Sequence, residues 1–325
     1  MQNLLAHLYD DLVNGKTIGR ETALHLAHAS DPGALCALAN KVRRFFMGNH
    51  FHLCSIINGR SGNCSEDCRF CAQSARHHTG IDSYPLIAEE KAVTQALDND
   101  RHGVHRLSLV TSGRRVEAAQ LEEIGSLYGA IAEKTTLHLC ASMGLLDKEG
   151  LRKLKSMGVS RYHCNLETSA SYFPTVCTTH THNDKVQTLQ QAQEAGLSIC
   201  SGGIIGMGES MQDRIELAFE LLELGVKSIP INILTPIKGT PLGARPLLSL
   251  QEVLVTVALF RLINPDAVIR MAGGRQQLGR DQYRCFTSGA NGAIVGNYLT
   301  TVGSGIKEDL AALAGLGFTF TTDNG

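Results

Sequence analysis

Three thiols, Cys64, Cys68 and Cys71, fall within the stretch GNCSEDCRFCAQSARHHTG at residues 62–80, with no fourth cysteine nearby. A structural zinc site takes four protein ligands, commonly as two separated pairs, and this stretch offers one triplet and no second pair. A [4Fe–4S] cluster held by three thiolates instead leaves one iron without a protein ligand, and that iron is a place for a substrate or cofactor to bind. The spacing therefore points to a cluster whose open iron is used. Cys36, within the apolar helical pattern DPGALCALANKV, reads as a small core residue. Cys177 and Cys285 have no partner at metal-binding spacing and read as structural.

The elements that position the triplet follow from periodicity. Eight short runs, FHLCSII, HRLSLVT, TTLHLCAS, RYHCNLE, LSICSGGII, SIPINIL, AVIRMAG and AIVGN, read as strands from about residue 50 onward. Amphipathic segments such as RVEAAQLEEIGSLYGAIAEK, DKEGLRKLKSMG, DKVQTLQQAQEAG, MQDRIELAFELLELG and SLQEVLVTVALFRLINP lie between them, several ended by glycine. Strand and helix alternating in this way predict an α/β fold, a parallel sheet closed into a (β/α)8 TIM barrel, with an open doubly wound sheet as the alternative. Residues 1–49 read as an N-terminal helical extension without strands, residues 50–325 as the barrel, and residues 235–248 as a long loop shaped by three prolines. In such a barrel, functional residues gather at the C-terminal ends of the strands. The three-cysteine loop follows the first strand directly.

Composition narrows the partners. The chain has 325 residues, 43% of them hydrophobic and 19% charged, which suits a large folded core. Its 30 Lys and Arg nearly balance 31 Asp and Glu, so no strong field favours nucleic acid or an anionic membrane, and a small-molecule substrate fits better. No apolar run reaches membrane-spanning length, and the acidic, amphipathic start is unlike a secretory signal. The expected location is cytoplasmic, where ten cysteines are unlikely to form a disulfide framework.

The Cys-x3-Cys-x2-Cys triplet, with aromatic Phe70 just before its last cysteine, resembles the signature of the radical S-adenosylmethionine (SAM) superfamily. That resemblance implies that the SAM amino and carboxylate groups chelate the open iron. One electron from the cluster then splits the sulfonium to give a 5′-deoxyadenosyl radical that abstracts hydrogen from an unactivated carbon. The wider stretch NGRSGNCSEDCRFCAQSARHHTG resembles the biotin synthase family. The likeness continues through YHCNLETS, CSGGIIGMGE, SIPINILTPIKGTPL, IRMAGGRQQ and GANGAIVGNYLTT, in the family's order. It implies sulfur insertion into dethiobiotin, with two SAM molecules consumed and the sulfur drawn from an auxiliary iron–sulfur cluster deep in the barrel. It further implies a reduced flavodoxin or ferredoxin as electron donor and a homodimer.

The resemblance also assigns residues. Cys64, Cys68 and Cys71 hold the SAM cluster, and Cys140, Cys200 and Arg270 match auxiliary-cluster positions; arginine is otherwise an unusual metal ligand. The family's further cysteine on strand two is Ser108 here, while Cys54 appears on strand one, where the family lacks one. Strand rise sets Cys54 several residues below the loop beginning near Asn58, too far to join the first cluster, and the resemblance places it close to Arg270. Cys54 is therefore expected to have taken over as auxiliary ligand, with cluster nuclearity left open; the alternative is a buried thiol with the auxiliary cluster degraded or lost. Asn165 and Glu167 match SAM and substrate positions, although Glu167 is one methylene longer than the usual Asp. Lys185 matches a basic residue that reaches the SAM carboxylate. Gly202, Ile204 and Gly206 match the adenine-side turn ending at Glu209, with Phe70 also beside SAM. Asn58 and His163 are expected at the substrate, and alternation turns Cys164 toward the helices. Two other readings remain open, a neighbouring radical SAM family acting without sulfur insertion and a non-enzymatic redox sensor.

Overall fold

A computed structural model describes residues 2–28, 31–296, 299 and 305–320. Strand alternation sorts side chains cleanly between two environments. In β1 (His52–Arg60), Leu53 and Ile57 enter the core under the helices, while Cys54 and Ile56 line the interior. In β2 (Arg106–Thr111) the outward pair is Leu107 and Leu109, and Arg106 and Ser108 face inward. β3 (His138–Ser142) sends Cys140 inward, and β4 (Arg161–His163) sends Tyr162 outward and His163 inward. The same rule directs Cys200 of β5 (Ser198–Cys200), Pro230 and Asn232 of β7 (Ser228–Ile233), and Arg270 of β8 (Val268–Met271) to the interior. β6 (Gly203–Ile205) and β9 (Gly292–Ile294) complete the set.

All pairings are parallel, in the order β5-β4-β3-β2-β1-β9-β8-β7-β6. The two ends of that order are halves of one strand bent at Ser201 and Gly202. β5 pairs with β4, β6 pairs with β7, and the Ser201 N–H donates to the Ser228 carbonyl at 3.1 Å, so the sheet closes on itself. The nine segments are thus the eight strands expected, with the fifth in two pieces. Closure needs glycine at the bend, because a Cβ on Gly202 would lie 1.9 Å from the Pro230 carbonyl oxygen. β1 runs to Arg60, two residues further than the expected start of the cysteine loop.

Capping residues start the surrounding helices. Capping boxes open α7 (His182–Glu194) at Thr181, α8 (Met211–Glu223) at Ser210 and α9 (Leu250–Ile263) at Ser249, and Asp147 caps α6 (Lys148–Ser156). α5 (Ala118–Lys134) also lies where periodicity places it, whereas α4 (Glu89–Arg101) has no counterpart among the expected segments. Before the barrel come α1 (Gln2–Val13), α2 (Arg20–Ala27) and α3 (Pro32–Met47). α3 packs on α9, which is buried along most of its length, and Arg20 of α2 bonds Glu216 and Glu223 of α8 at 2.9 and 2.7 Å. Residues 235–248 form the expected loop. Asn297, Tyr298, Thr300 and Thr301 of the stretch 289–301 lie outside the described residues. No helix among the described residues is long and apolar enough to cross a membrane.

α10 (Ile306–Gly315) is tied to the barrel by a buried ion pair. Asp309 accepts from Arg275 at 3.0 Å through Oδ1, pairs with it again through Oδ2, and accepts from the Tyr283 hydroxyl at 3.0 Å. Removing one partner strands a buried guanidinium, so Asp309→Ala is expected to cost about 3–5 kcal/mol. Urea melts check this, and Asp309→Asn, which keeps an acceptor, should cost less.

Candidate active site

The loop carrying the triplet is pinned on every side. The Cys64 N–H donates to Gln73 O at 3.0 Å and Ala75 N–H to Cys64 O at 2.8 Å, closing a short ladder across the loop. Ser112 Oγ donates to Gly62 O at 2.7 Å and Ser74 Oγ to Glu66 O at 2.6 Å. Two distant segments hold the far side, through Arg69 N–H to Val176 O at 3.0 Å and Leu242 N–H to Arg69 O at 3.3 Å. A loop fixed this way holds its side chains in place before any ligand arrives.

Cys64 and Cys68 line a cavity of about 280 Å³ that fills the upper barrel. Cys71 does not line that cavity, and burial pushes its thiol up to about 11 while the backbone amides of Gln73 and Ser74 favour its thiolate. Among the described residues, single-ion spacing occurs only at Cys68, Cys177 and His180, so Cys64, Cys68 and Cys71 are not all within reach of one ion. Three thiols in that arrangement fit a multi-iron cluster with one open iron.

Further in, Asn165, Glu167 and Lys185 converge on the same cavity. Glu167 has φ 71, and its N–H donates to Gly202 O at 3.0 Å while its carbonyl accepts from Ile204 N–H at 2.9 Å. The strained residue is thus clamped by the bend that closes the barrel. Lys185 Nζ reaches down from α7 to within 3.8 Å of Glu167 Oε1, and the Asn165 side chain bonds Glu167 as well. Burial holds the Glu167 carboxyl above its usual range against the pull of Lys185. Its Oε2 has no hydrogen-bond partner among the described residues, an acceptor free for ligand hydroxyls.

Phe70 and Ile204 lie apart from these groups, packed with Tyr172 on an apolar cluster of Val176, Met207, Leu234 and Leu242. Gly202 and Gly206 do not line the cavity. Gly202 serves strand closure, and the Gly206 N–H donates to Glu209 Oε1 at 2.8 Å. Glu209 is fully engaged, accepting also from Gly208 N–H at 3.0 Å and Arg214 Nε at 2.7 Å. Asn58 donates from Nδ2 to Leu299 O at 3.1 Å, leaving Oδ1 without a partner among the described residues.

The floor of the cavity holds Cys54, Cys140, Cys200 and Arg270, all buried. They come from barrel strands one, three, five and seven, and alternate strands supply the four side chains of one interior layer in this architecture. Arg270 donates to Ser228 Oγ at 2.7 Å, and Ser228 Oγ lies 3.2 Å from the Cys200 sulfur. Burial works against the Arg270 charge, yet Cys54, Cys200 and Cys140 surround it and push its pKa above the usual arginine value. Ser108, on strand two, falls outside that layer, and its Oγ has no partner among the described residues. His163 sits beside the Cys140 sulfur, its pKa lowered by burial, with Nε2 likewise unpartnered. Cys164 packs in the core and also reaches the cavity wall.

Several residues here went unread in the sequence. Arg106 and Arg161 place positive charge near the floor, and strand alternation alone would have shown it. Cys177 is not the isolated structural thiol expected: its sulfur accepts from Cys68 at 3.7 Å, and the two residues are 109 positions apart. Glu66, Asp67 and His180 gather around that contact.

A parallel barrel with a three-thiol loop after strand one and a carboxylate–lysine pair in its mouth defines a radical SAM enzyme, and the radical SAM superfamily profile matches residues 60–221. The profile of the biotin and thiamin synthesis associated domain matches residues 230–319. The chain is 54% identical over 310 residues to the biotin synthase of Desulfotalea psychrophila, covering 94% of this chain and 92% of that one. Against the biotin synthase of Acetivibrio thermocellus the identity is 48%, covering 97% and 99% of the two chains. The chain belongs to the biotin synthase family. The solved structure of methylornithine synthase superposes with a TM-score of 0.80, covering 96% of each chain at 20% identity, a likeness of fold alone. The reading as a neighbouring family without sulfur insertion therefore has only the fold in its favour.

Proposed function

We propose that this chain converts dethiobiotin to biotin, inserting a sulfur drawn from an auxiliary iron–sulfur cluster on the barrel floor. The observation that carries the reading is the single interior layer of Cys54, Cys140, Cys200 and Arg270, three thiols and one cation on alternate strands. Among the described residues these three sulfurs do not all lie at single-ion spacing, as suits a multi-iron sulfur donor. Cys54 then serves where strand two offers only Ser108.

When bound, the [4Fe–4S] cluster and SAM supply reductive sulfonium cleavage and a carbon radical able to take hydrogen from a saturated carbon. Cys64, Cys68 and Cys71 hold that cluster at the mouth. Lys185 faces the SAM carboxylate, and Glu167 offers its free oxygen to ribose hydroxyls, as acceptor-only groups do. Phe70 and Ile204 supply an apolar surface for the adenine, with Gly202 and Gly206 shaping the turn behind it. Asn58, His163 and Asn165 orient dethiobiotin between the two clusters, and the closed barrel excludes water from the radical. Residues 1–49 act as an extension braced on α8 and α9, and a small reduced flavodoxin or ferredoxin delivers the electron to a cytoplasmic homodimer.

Anaerobically reconstituted protein, given SAM, a low-potential reductant and dethiobiotin, should form biotin with about two 5′-deoxyadenosines per biotin. SAM cleavage without biotin, in protein whose iron exceeds one four-iron cluster, would overturn the proposal.

A further inference from the structure

Beside the cluster loop lies a second donor set, of which the biotin-forming reading uses only Cys68. Cys177 and His180, in the sequence Cys-Thr-Thr-His on the loop between β4 and α7, meet Cys68 and Glu66 from the cluster loop. The Cys68 and Cys177 sulfurs are 3.7 Å apart, and Cys177 Sγ is 3.3 Å from His180 Nδ1. Zn–S bonds of about 2.3 Å and Zn–N bonds of about 2.0–2.1 Å place tetrahedral sulfurs about 3.7–3.8 Å apart and a sulfur and nitrogen about 3.5 Å apart. The observed separations match those within a few tenths of an ångström. Glu66 Oε2 hydrogen-bonds His180 Nδ1 at 2.5 Å, too close for both atoms to ligate one ion, so Glu66 would yield that nitrogen to the metal and the protein offers three ligands, with solvent at the fourth position.

Neighbouring groups hold the donors in this arrangement. Thr179 Oγ1 donates to Glu66 Oε2 at 2.8 Å, and Asp67 Oδ1 accepts from the Thr178 N–H at 2.9 Å and from Cys177 Sγ at 3.1 Å. Asp67 is saturated by these bonds and is not available as a ligand. Cys177, His180 and Glu66 are buried, and Cys68, Glu66 and His180 line the cavity, so an ion has a way in.

We propose that, in the chain without its SAM cluster, Cys68, Cys177 and His180 form a three-ligand site, open at its fourth position, for one zinc-class divalent cation whose occupancy excludes that cluster. Binding exchanges the two thiol protons for the metal and leaves no redox change. The exclusion follows because Cys68 cannot serve both sites, and that half of the inference rests on the reading of Cys68 as a cluster ligand. Cys68 thus becomes a point of competition between iron–sulfur assembly and a free metal ion.

The test uses the full-length, reduced, metal-free chain under anaerobic conditions, titrated with Zn2+ against a chromophoric chelator and with Co2+ in the absorption spectrometer. One zinc should compete with the chelator, and cobalt should show tetrahedral d–d bands with thiolate charge transfer. Cys177→Ala and His180→Ala should each weaken that zinc by at least about 100-fold. Cys64→Ala, Cys71→Ala and Cys140→Ala should leave it unchanged. Undiminished binding in Cys177→Ala, or loss in Cys64→Ala or Cys140→Ala, overturns the site. If Cys177→Ala does not fold, the wild-type cobalt spectrum decides, since a spectrum without thiolate charge transfer excludes the sulfurs as ligands. Zinc-loaded wild type should then take up little iron on reconstitution while His180→Ala remains insensitive. Zinc bound as expected with iron uptake undisturbed would overturn the exclusion and, with it, the cluster role of Cys68, but not the zinc site.

Discussion

A Cys71→Ala variant is expected to lose about four irons and to cleave SAM no faster than the uncatalysed background, since two thiolates cannot hold a cluster with one open iron. Iron bound at the barrel floor should survive, because the floor layer of Cys54, Cys140, Cys200 and Arg270 shares no ligand with the loop. The loop itself should stay in place: its ladder runs through the Cys64 and Ala75 backbone, and the hydrogen bonds Cys71 makes to Cys68 O, at 2.9 Å, and to His77 Nδ1, at 2.9 Å, run through its backbone, which alanine keeps. Iron analysis together with the electron paramagnetic resonance of the reduced protein separates the two pools. Retained SAM cleavage in Cys71→Ala would remove the triplet from the chemistry altogether.

The strands were legible because alternation is a local property: one residue in two goes to the core, and the apolar runs show which. The triplet was legible for a related reason, since three thiols within one loop need no tertiary contact to be brought near one another. The bend of the fifth strand was not, because nothing in LSICSGGII announces that the Pro230 carbonyl will come within 1.9 Å of where a Gly202 Cβ would stand. Helix α4, EEKAVTQALDNDR, escaped because it buries only Ala92, Val93, Ala96 and Asn99, a stripe too thin to stand out among charges. The misreading of Cys177 has the same origin as the strand bend. Its partners are Asp67 and Cys68, brought up by the cluster loop, and only the Cys-x2-His spacing within its own loop hinted at a donor pair.

The floor of the barrel is where sequence and fold explain each other. Cys54→Ala should bind the SAM cluster normally, lose the iron and sulfide in excess of it, and make less than about 1% of the wild-type biotin, as removal of a unique ligand from a consumed donor implies. Ser108→Ala should do neither. The contrast follows from layer parity. Strands one, three, five and seven contribute to one layer, so a thiol at Cys54 completes the ring begun by Cys140, Cys200 and Arg270, whereas a side chain from strand two belongs to the layer between. It also follows from polarity, for the buried Arg270 is already encircled by the sulfurs of Cys54, Cys200 and Cys140, which push its pKa above the usual arginine value. Mössbauer spectra of the two variants beside the wild type read both expectations. If Cys54→Ala keeps the excess iron, Cys54 is a buried thiol and the third ligand lies elsewhere; if Ser108→Ala loses it, strand two still serves the cluster through its hydroxyl and the layer argument fails.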